Sequence, residues 1–304
     1  MTITYRHGEC VEAEKSSVAL GTFDGLHIAH AKIINKAAEY AEKNHISLGV
    51  MMFDSIPANI VSYSFIPMLM SVEDRVSLLN SADFVYIETF DQKFMSMTPE
   101  EFVSYLKNTL KAAFVSVGYN YRFGKGAKGD TKLLKQLCLK DGIEVFVVDK
   151  TVLKGEAVSS TRIRELVLAG KVKEAAELLS RPFFIKGTVV KGLNNGTKMG
   201  IPTANVLPDS KIICPPYGVY AGFCEIKGEK YKSVINVGNN PTFNGKETTI
   251  ECHLLDFDGD IYGEKLSVHF IDRIRGEIKF PTVDALIEQI RSDIKQTVER
   301  TEEN

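Results

Sequence analysis

Residues 17–32 read SVALGTFDGLHIAHAK, and this stretch decides the fold of the first half of the chain. An apolar run at 18–20 leads into a glycine-bounded turn at 21–25, after which apolar residues recur at helical spacing. The pattern predicts a strand, a tight turn and an amphipathic helix. Such a turn directs backbone N–H groups and the positive end of a helix dipole at the space above it, where a phosphate would bind.

Two histidines follow this turn directly. His27 and His30 lie three residues apart, so we expect both imidazoles on one face of the first helical turn, beside the anion site. Imidazole N–H groups there could stabilise charge on a phosphoryl group and on a leaving pyrophosphate. The alternative is a pair of surface histidines without function. A zinc pair fits less well, because the metalloprotease pattern requires i, i+4 spacing and an adjacent glutamate.

The composition limits the class of protein. At 304 residues the chain is long enough for two domains, and 37 basic against 39 acidic residues leave no electrostatic footprint for nucleic-acid binding. The five cysteines show neither metal-ligand spacing nor an even disulfide framework. We find no apolar signal core and no run of membrane-spanning length. We therefore expect a cytoplasmic protein, monomeric or weakly homo-oligomeric, with no nucleic-acid or membrane partner.

The first half alternates between strands and helices. This alternation predicts a parallel sheet covered by helices on both faces, with ligands bound beyond the carboxyl ends of the strands. Ser71 and Thr98 are expected to cap helices and are assigned no function. Further strands are predicted at residues 48–53, 84–87, 114–117 and 143–148.

Two segments near the end of this half have the composition of ligand loops. Residues 118–130, GYNYRFGKGAKGD, combine four glycines with aromatic and basic side chains, which could stack on a flat ring and bind phosphate. Residues 159–164, SSTRIR, are expected to open a helix over 162–169 and could bind a triphosphate. The alternatives are a plain surface loop and a helix cap with solvated charges.

The composition changes near residues 180–182. Short β-like runs separated by turn residues follow, and they predict a small antiparallel barrel with an amphipathic helix over 283–298. We place the domain boundary there, giving domains 1–181 and 182–304. The predicted strands are 184–190, 219–226, 231–237, 248–255 and 265–271.

Residues 192–205, GLNNGTKMGIPTAN, have the glycine density of a phosphate-binding flap. They do not form a Walker A motif, because Met199 follows the lysine where a magnesium-binding hydroxyl would stand. Thr203 and Asn205 offer neutral oxygens to a hard cation, although a simple β-turn region is the alternative. In the strand at 248–255, alternation sets Glu251 on the face opposite Ile250, where its carboxylate could accept a proton.

Together these motifs resemble one family. GTFDGLHIAH followed by SSTRIR is similar to the nucleotidyltransferase domain of the bacterial bifunctional riboflavin kinase/FMN adenylyltransferases. The pattern G-x-x-x-G…G-x-P-T-A-N is similar to the riboflavin kinase signature. The resemblance implies a Rossmann-like parallel sheet joined to a small antiparallel β-barrel. It also implies phosphorylation of riboflavin to FMN and adenylylation of FMN to FAD, with ATP and Mg²⁺ in both steps.

The resemblance also assigns roles to residues. Glu251 is the implied base of the kinase, His27 and His30 stabilise the adenylyl-transfer transition state, and Thr203 and Asn205 bind the metal. The residues implied to bind substrate and nucleotide form a larger set: Gly21, Phe23, Asp24, Gly25, Asn120, Ser159, Ser160, Thr161, Arg164, Gly192, Gly196, Lys198, Gly200, Pro202 and Arg275.

The chain departs from the family pattern at several positions. Ala29 replaces the glycine of HxGH, residues 53–57 read FDSIP instead of F-x-P-H-P, and residues 120–124 read NYRFG where many members have DFxFG. In the flap, Lys198 lies one position later than the usual arginine. Two alternatives therefore stay open: a riboflavin kinase with a weak or silent first domain, and a non-catalytic flavin or nucleotide sensor.

Overall fold

The computed structural model describes residues 2–61, 65–192, 196, 199–239 and 248–302. The chain forms two compact units, Met1–Ser160 and Thr161–Asn304. This division lies 21 residues before the domain boundary predicted at 181/182, because helix Val172–Leu179 packs on strands of the second unit. The division of activities at 181/182 stays a prediction.

The first unit is built on a parallel sheet. Within the described ranges six strands pair in the order β1-β4-β3-β2-β5-β6, all in parallel, which confirms the predicted sheet. The short edge strand β1 was not predicted. The strands are β1 (Ile3–Arg6), β2 (Ser16–Leu20), β3 (Ser47–Phe53), β4 (Phe84–Glu88), β5 (Ala112–Gly118) and β6 (Glu144–Val148), followed by a short antiparallel pair, β7 (Val152–Leu153) and β8 (Glu156–Ala157).

Helices cover both faces of this sheet. Alternate residues of β2 face opposite cores: Val18 and Leu20 pack into one cluster and Ala19 into the other. Ser71 and Thr98 cap their helices as predicted. The helices are α1 (Ile28–Asn44), α2 (Pro57–Val61), α3 (Val72–Leu78), α4 (Gln92–Ser96), α5 (Pro99–Asn108), a 3₁₀ turn (Lys125–Ala127) and α6 (Thr131–Lys140).

The strand order places a ligand site after β2. From β2 the chain proceeds to β3 on one side, and it returns to β5 on the other side, so the strand order reverses at β2. The crevice beyond the carboxyl end of a strand at such a switch point is where open α/β sheets bind ligands. The turn at residues 21–25 lies at this point.

The second unit is a closed antiparallel barrel. Among the described residues its strands pair in the order β10-β13-β12-β11-β14-β9, which confirms the predicted antiparallel barrel, although strand β10 was not predicted. Two helices, α8 and α9, pack against its strands. The elements are α7 (Ser160–Leu168), which begins at the last residue of the first unit, α8 (Val172–Leu179), β9 (Phe183–Val190), β10 (Ala204–Pro208), β11 (Gly218–Ile226), β12 (Glu229–Asn239), β13 (Thr248–Leu254), β14 (Lys265–Arg275) and α9 (Val283–Glu302).

Candidate functional site

The turn after β2 has a constrained backbone. Gly21 donates its N–H to the Met51 carbonyl (3.2 Å), and a Cβ at Gly21 would lie 3.2 Å from the Phe23 ring. Phe23 is fully buried with φ +52°, and Leu26 has φ +41°. Non-glycine residues rarely adopt positive φ, so surrounding contacts must hold this backbone in place.

Asp24 is a structural member of this turn. Its side chain is 1% exposed, and its carboxylate accepts the backbone N–H of Leu69 at 2.9 and 3.1 Å. The Asp24 carbonyl accepts the Ser160 hydroxyl (2.8 Å), which ties Ser160 to the turn. Both residues were predicted to bind nucleotide, and this role stays a prediction.

The two histidine rings lie against each other. Their centroids are 3.6 Å apart with an interplanar angle of 14°, and the His30 ring also meets the Phe23 ring edge-on at 5.1 Å. The expected juxtaposition is therefore present, but its geometry differs from the prediction. α1 begins at Ile28, so His27 is its N-cap rather than part of its first turn.

The N-cap role fixes the orientation of His27. Its Nδ1 accepts the backbone N–H of His30 (3.3 Å), so a neutral His27 carries its proton on Nε2. Helix N–H groups were expected to be available for a ligand anion, and this one is taken by the His27 side chain. The ring is only 4% exposed and is held in place by the helix that it caps.

The loop at residues 118–130 offers fewer aromatic rings for ligand binding than its composition suggests. Phe123 is 5% exposed and packs on Phe102 with centroids 5.1 Å apart, and Tyr121 stacks on Phe123. The prediction of ligand stacking is wrong for Phe123, whose ring belongs to the core, whereas for the half-buried Tyr121 it stays a prediction. Tyr119 and Asn120 are exposed, and ligand binding by Asn120 stays a prediction.

The SSTRIR helix starts earlier than predicted. α7 begins at Ser160 rather than at Arg162. Ser159 and Arg164 are half-buried and Thr161 is exposed. Their roles in nucleotide binding stay predictions.

In the barrel, Glu251 lies on the strand face that the alternation of residues predicts. Ile250 and Cys252 are fully buried, whereas Glu251 lies on the opposite face and is half-buried. The register places Asn205 of β10 on one side of Glu251 and Asn236 of β12 on the other. Burial raises the pKa of the Glu251 carboxyl above its usual value, which makes the carboxylate a stronger base.

The flap backbone lies close to the two predicted metal ligands, Thr203 and Asn205. A Cβ at Gly192 would lie 2.3 Å from Nδ2 of Asn205, and a Cβ at Gly196 would lie 3.3 Å from Oγ1 of Thr203. The Gly196 carbonyl accepts the N–H of Ile201 (2.8 Å). The glycines therefore bring the flap backbone against these two side chains.

The sequence did not assign roles to His253 and Asn236. His253 pairs through Nδ1 with the Pro202 carbonyl (2.7 Å), immediately before Thr203. The place of Asn236 beside Glu251 depends on strand pairing that no local pattern reveals. Gly200 has φ +75° and is exposed. Lys198 lies outside the described residues.

Arg275 is held by the C-terminal helix. Its Nη2 donates to Oδ2 of Asp293 (2.8 Å), its Nε lies 3.1–3.2 Å from both carboxylate oxygens, and its Nη1 donates to the Gly276 carbonyl. Asp293 is 1% exposed. These contacts anchor α9 on the barrel, and binding of a substrate by Arg275 stays a prediction.

The donor chemistry near Glu251 fits magnesium. Thr203 and Asn205 supply a hydroxyl and an amide oxygen, and Mg²⁺ prefers oxygen ligands while taking others from phosphates and water. Among the described residues no three His, Cys, Asp or Glu side chains form a metal-binding group. The residues fit an ion shared with ATP phosphates rather than one held by protein alone.

A helix must be long and apolar throughout to cross a bilayer. None of the helices in the described ranges combines the length and the apolar character that crossing a membrane requires.

Two family models match the chain, FAD synthetase over residues 10–162 and Riboflavin kinase over residues 179–301. The bifunctional riboflavin kinase/FMN adenylyltransferase of Bacillus subtilis is 34% identical and the match covers 97% of this chain and 96% of that protein. The protein of the same description from Listeria monocytogenes is 33% identical, and the match covers 92% of this chain and 90% of that protein. The chain belongs to the bifunctional riboflavin kinase/FMN adenylyltransferase family. This confirms the resemblance inferred from the motifs.

A solved structure shares the fold of this family member. A protein from Streptococcus pneumoniae described as a macrolide-efflux protein is 32% identical, with a TM-score of 0.85 and coverage of 97% of this chain and 98% of that one. That description applies to the neighbour. The family models of FAD synthetase and riboflavin kinase match the two units of the present chain.

Proposed function

We propose that this protein makes both flavin cofactors, converting riboflavin to FMN in the barrel unit and FMN to FAD in the sheet unit. The observation that carries the proposal is that each of the two matched family models falls on a unit with its own polar site. One site has a half-buried carboxylate between two asparagines, and the other has stacked histidines at the end of a parallel strand.

For the kinase step, Glu251 is the general base. It accepts the proton of the ribityl 5′-hydroxyl as that oxygen attacks the γ-phosphorus of ATP, and the bond from the γ-phosphorus to the β–γ bridging oxygen breaks. ADP leaves and FMN is formed. The raised pKa of Glu251 suits this role, because a more basic carboxylate is a better proton acceptor.

Mg²⁺ belongs to the same step. Thr203 and Asn205 would hold it together with ATP phosphates, and the bound ion would supply charge neutralisation at the transferring phosphoryl group. The Gly192, Gly196 and Gly200 flap, with Lys198 and Pro202, binds the nucleotide in this proposal.

For the adenylyl-transfer step, the FMN phosphate oxygen attacks the α-phosphorus of a second ATP. The bond from the α-phosphorus to the α–β bridging oxygen breaks and pyrophosphate leaves. His27 and His30 stabilise the charge that develops, by hydrogen bonding from their ring nitrogens. FMN is already anionic at neutral pH, so this step needs no base to generate its nucleophile.

The remaining nucleotide contacts of this step are assigned to the turn and to two flanking segments. Gly21, Phe23, Asp24 and Gly25 form the turn, where Phe23 and Asp24 act by shaping its backbone. The flanking residues are Asn120, Ser159, Ser160, Thr161 and Arg164.

We also propose a cytoplasmic enzyme that acts on small molecules alone, as a monomer or weak homo-oligomer. All five cysteines lie in described parts of the chain, and each is a free thiol, which suits a reducing compartment. The near balance of acidic and basic residues supports the absence of a nucleic-acid partner.

The test is to incubate the purified protein with riboflavin, ATP and Mg²⁺ and to separate FMN from FAD by chromatography. We expect both products, in that order. If FMN accumulates without FAD, also under reducing conditions, the protein is a riboflavin kinase without adenylyltransferase activity. This is the main competing function, because Ala29 and residues 53–57 depart from the family pattern of the adenylyltransferase domain. Flavin binding without turnover would identify a sensor.

Matched variants separate the two activities. Glu251→Gln should abolish FMN formation from riboflavin while FAD formation from supplied FMN continues. His27→Ala combined with His30→Ala should do the reverse. Equal loss of both activities in either variant would contradict the assignment of one reaction to each unit.

A further inference from the structure

A buried arginine lies directly beneath the histidine turn. Arg75 of α3 is 0% exposed, and its Nη1 donates to the carbonyls of Thr22 (2.7 Å) and Phe53 (2.8 Å). Thr22 belongs to the turn, and Phe53 is the last residue of β3. One guanidinium group therefore connects the turn to the carboxyl end of the neighbouring strand.

Nearby carboxylates stabilise the positive charge of Arg75. Burial lowers the pKa of the guanidinium, and the carboxylates of Asp24, Asp54 and Glu73 act in the opposite direction. Asp24 is itself buried in the turn, so a buried cation and a buried anion compensate each other across this backbone. Removing the cation would leave the Asp24 carboxylate without its counter-charge.

The bonding of Arg75 is incomplete. Its Nε has no hydrogen-bond partner among the residues that the structure describes, and its Nη2 reaches only the sulfur of Met68 at 3.9 Å. An unsatisfied buried donor is costly and needs a reason. A stabilising role alone would be served at less cost by an apolar side chain, because replacing buried ion pairs with apolar residues is often neutral or stabilising.

A short path leads from Arg75 to the histidines. Thr22 precedes Phe23, whose φ of +52° must be held by its neighbours and whose ring meets His30 edge-on at 5.1 Å. His30 in turn stacks on His27. A shift of the Thr22 carbonyl would therefore move the aromatic contact that orients both imidazoles.

We propose that Arg75 is a positioning residue for adenylyl transfer, which fixes the turn so that His27 and His30 are aligned for the transition state. This inference rests on the proposed FAD-forming activity. A lysine keeps the charge, but its side chain is one bond shorter, so its ammonium does not reach the position from which Nη1 of Arg75 donates to both carbonyls. Arg75→Lys therefore separates hydrogen-bond geometry from charge.

The experiment measures FAD formation from supplied FMN, with kcat and the KM for ATP determined well below the unfolding temperature of each variant. For Arg75→Lys we expect kcat to fall about 10- to 100-fold, because misalignment near 1 Å can cost about 100-fold. The rate of FMN formation from riboflavin should stay within about twofold. Ser17→Ala serves as a control, since it removes another buried hydrogen bond of the same unit, from the Ser17 hydroxyl to the Ala37 carbonyl.

A double-mutant cycle distinguishes positioning from general destabilisation. If Arg75 acts through His30, Arg75→Lys should have little further effect in a His30→Ala background, whereas a purely structural effect would be additive. Unchanged kcat in Arg75→Lys, additive losses in the cycle, or an equal kcat loss in Ser17→Ala would overturn the proposal. Absence of FAD formation by the unmodified protein would refute the proposed function itself, so the two failures are distinguishable.

Discussion

Replacing Gly192 by alanine tests whether Asn205 must keep its position for phosphoryl transfer. A Cβ at this residue would lie 2.3 Å from Nδ2 of Asn205, 2.7 Å from its Cγ and 2.8 Å from its Oδ1. Ordinary van der Waals contact begins near 3.4 Å, so the amide would have to move by about 1 Å. Asn205 is only 7% exposed, which leaves it little room to move without leaving the site.

The expected magnitude follows from that displacement. A misplacement of about 1 Å can lower a rate about 100-fold, so kcat for FMN formation should fall to about a hundredth. The φ angle of Gly192 is not positive, so the effect does not come from backbone strain at the new alanine. The apparent Mg²⁺ requirement should rise as well, because the displaced amide is a proposed ligand of the ion.

The assay follows FMN formation from riboflavin over a range of Mg²⁺ concentrations. Gly276→Ala is the matched control, because a Cβ there has only Nη2 of Arg273 nearby, at 3.8 Å. FAD formation from supplied FMN should be unaffected in both variants. A Gly192→Ala enzyme with normal kcat and normal Mg²⁺ dependence would refute the reasoning that Asn205 takes part in the reaction.

Two other predictions concern charge in the barrel unit. The raised pKa of Glu251 means that its ionised form destabilises the folded state, a cost that is absent at acid pH and appears as the pH rises through the folded pKa. Glu251→Gln should therefore be more stable than the unmodified protein in urea at pH 7.5 but not at pH 4, by about 1.4 kcal/mol for each unit of pKa elevation; equal differences at both pH values would contradict this. Arg275→Met should lower the free energy of unfolding by about 3–5 kcal/mol, because it leaves the buried Asp293 carboxylate without its guanidinium partner. Urea unfolding of Arg275→Met with Asp293→Leu should recover most of that loss, and a double variant as unstable as the single one would rule out this cause.

Local sequence patterns predicted the strands correctly where buried residues recur at regular spacing. The apolar run at residues 18–20 became β2, and alternation placed Glu251 on the face opposite Ile250. Strand β10 was missed because its first residues, 204–205, belong to a ligand motif and because it pairs with β9 and with β13, which is distant in sequence. Pairing of this kind is determined by the closure of the barrel and leaves little local signal.

At the histidine turn the sequence indicated which residues meet but not how they meet. Histidine is an unusual helix N-cap, so the acceptor role of His27 toward His30 could not be read from spacing. Tyr121 and Phe123 have the composition of a stacking loop, yet the Phe123 ring lies in the core and the half-buried Tyr121 ring packs against it. Arg75 was missed because a basic residue in a short helix is usually solvated, and its burial arises from two carbonyls that tertiary structure brings together.

The two sites make different use of one cosubstrate, and their residues reflect the two nucleophiles. The riboflavin hydroxyl must lose a proton, and the proposed base is Glu251, which burial makes more basic and which pairs in register with Asn205 and Asn236. The FMN phosphate is already an anion, and a carboxylate facing it would repel it. In the described part of the sheet site the Asp24 carboxylate accepts the Leu69 backbone N–H and Arg75 lies beneath it, while the two imidazoles, of which His27 is 4% exposed, stack on each other after the turn. On the proposed roles, one reaction needs a base and the other is disfavoured by a facing carboxylate, and these opposite demands favour two sites for the same nucleotide.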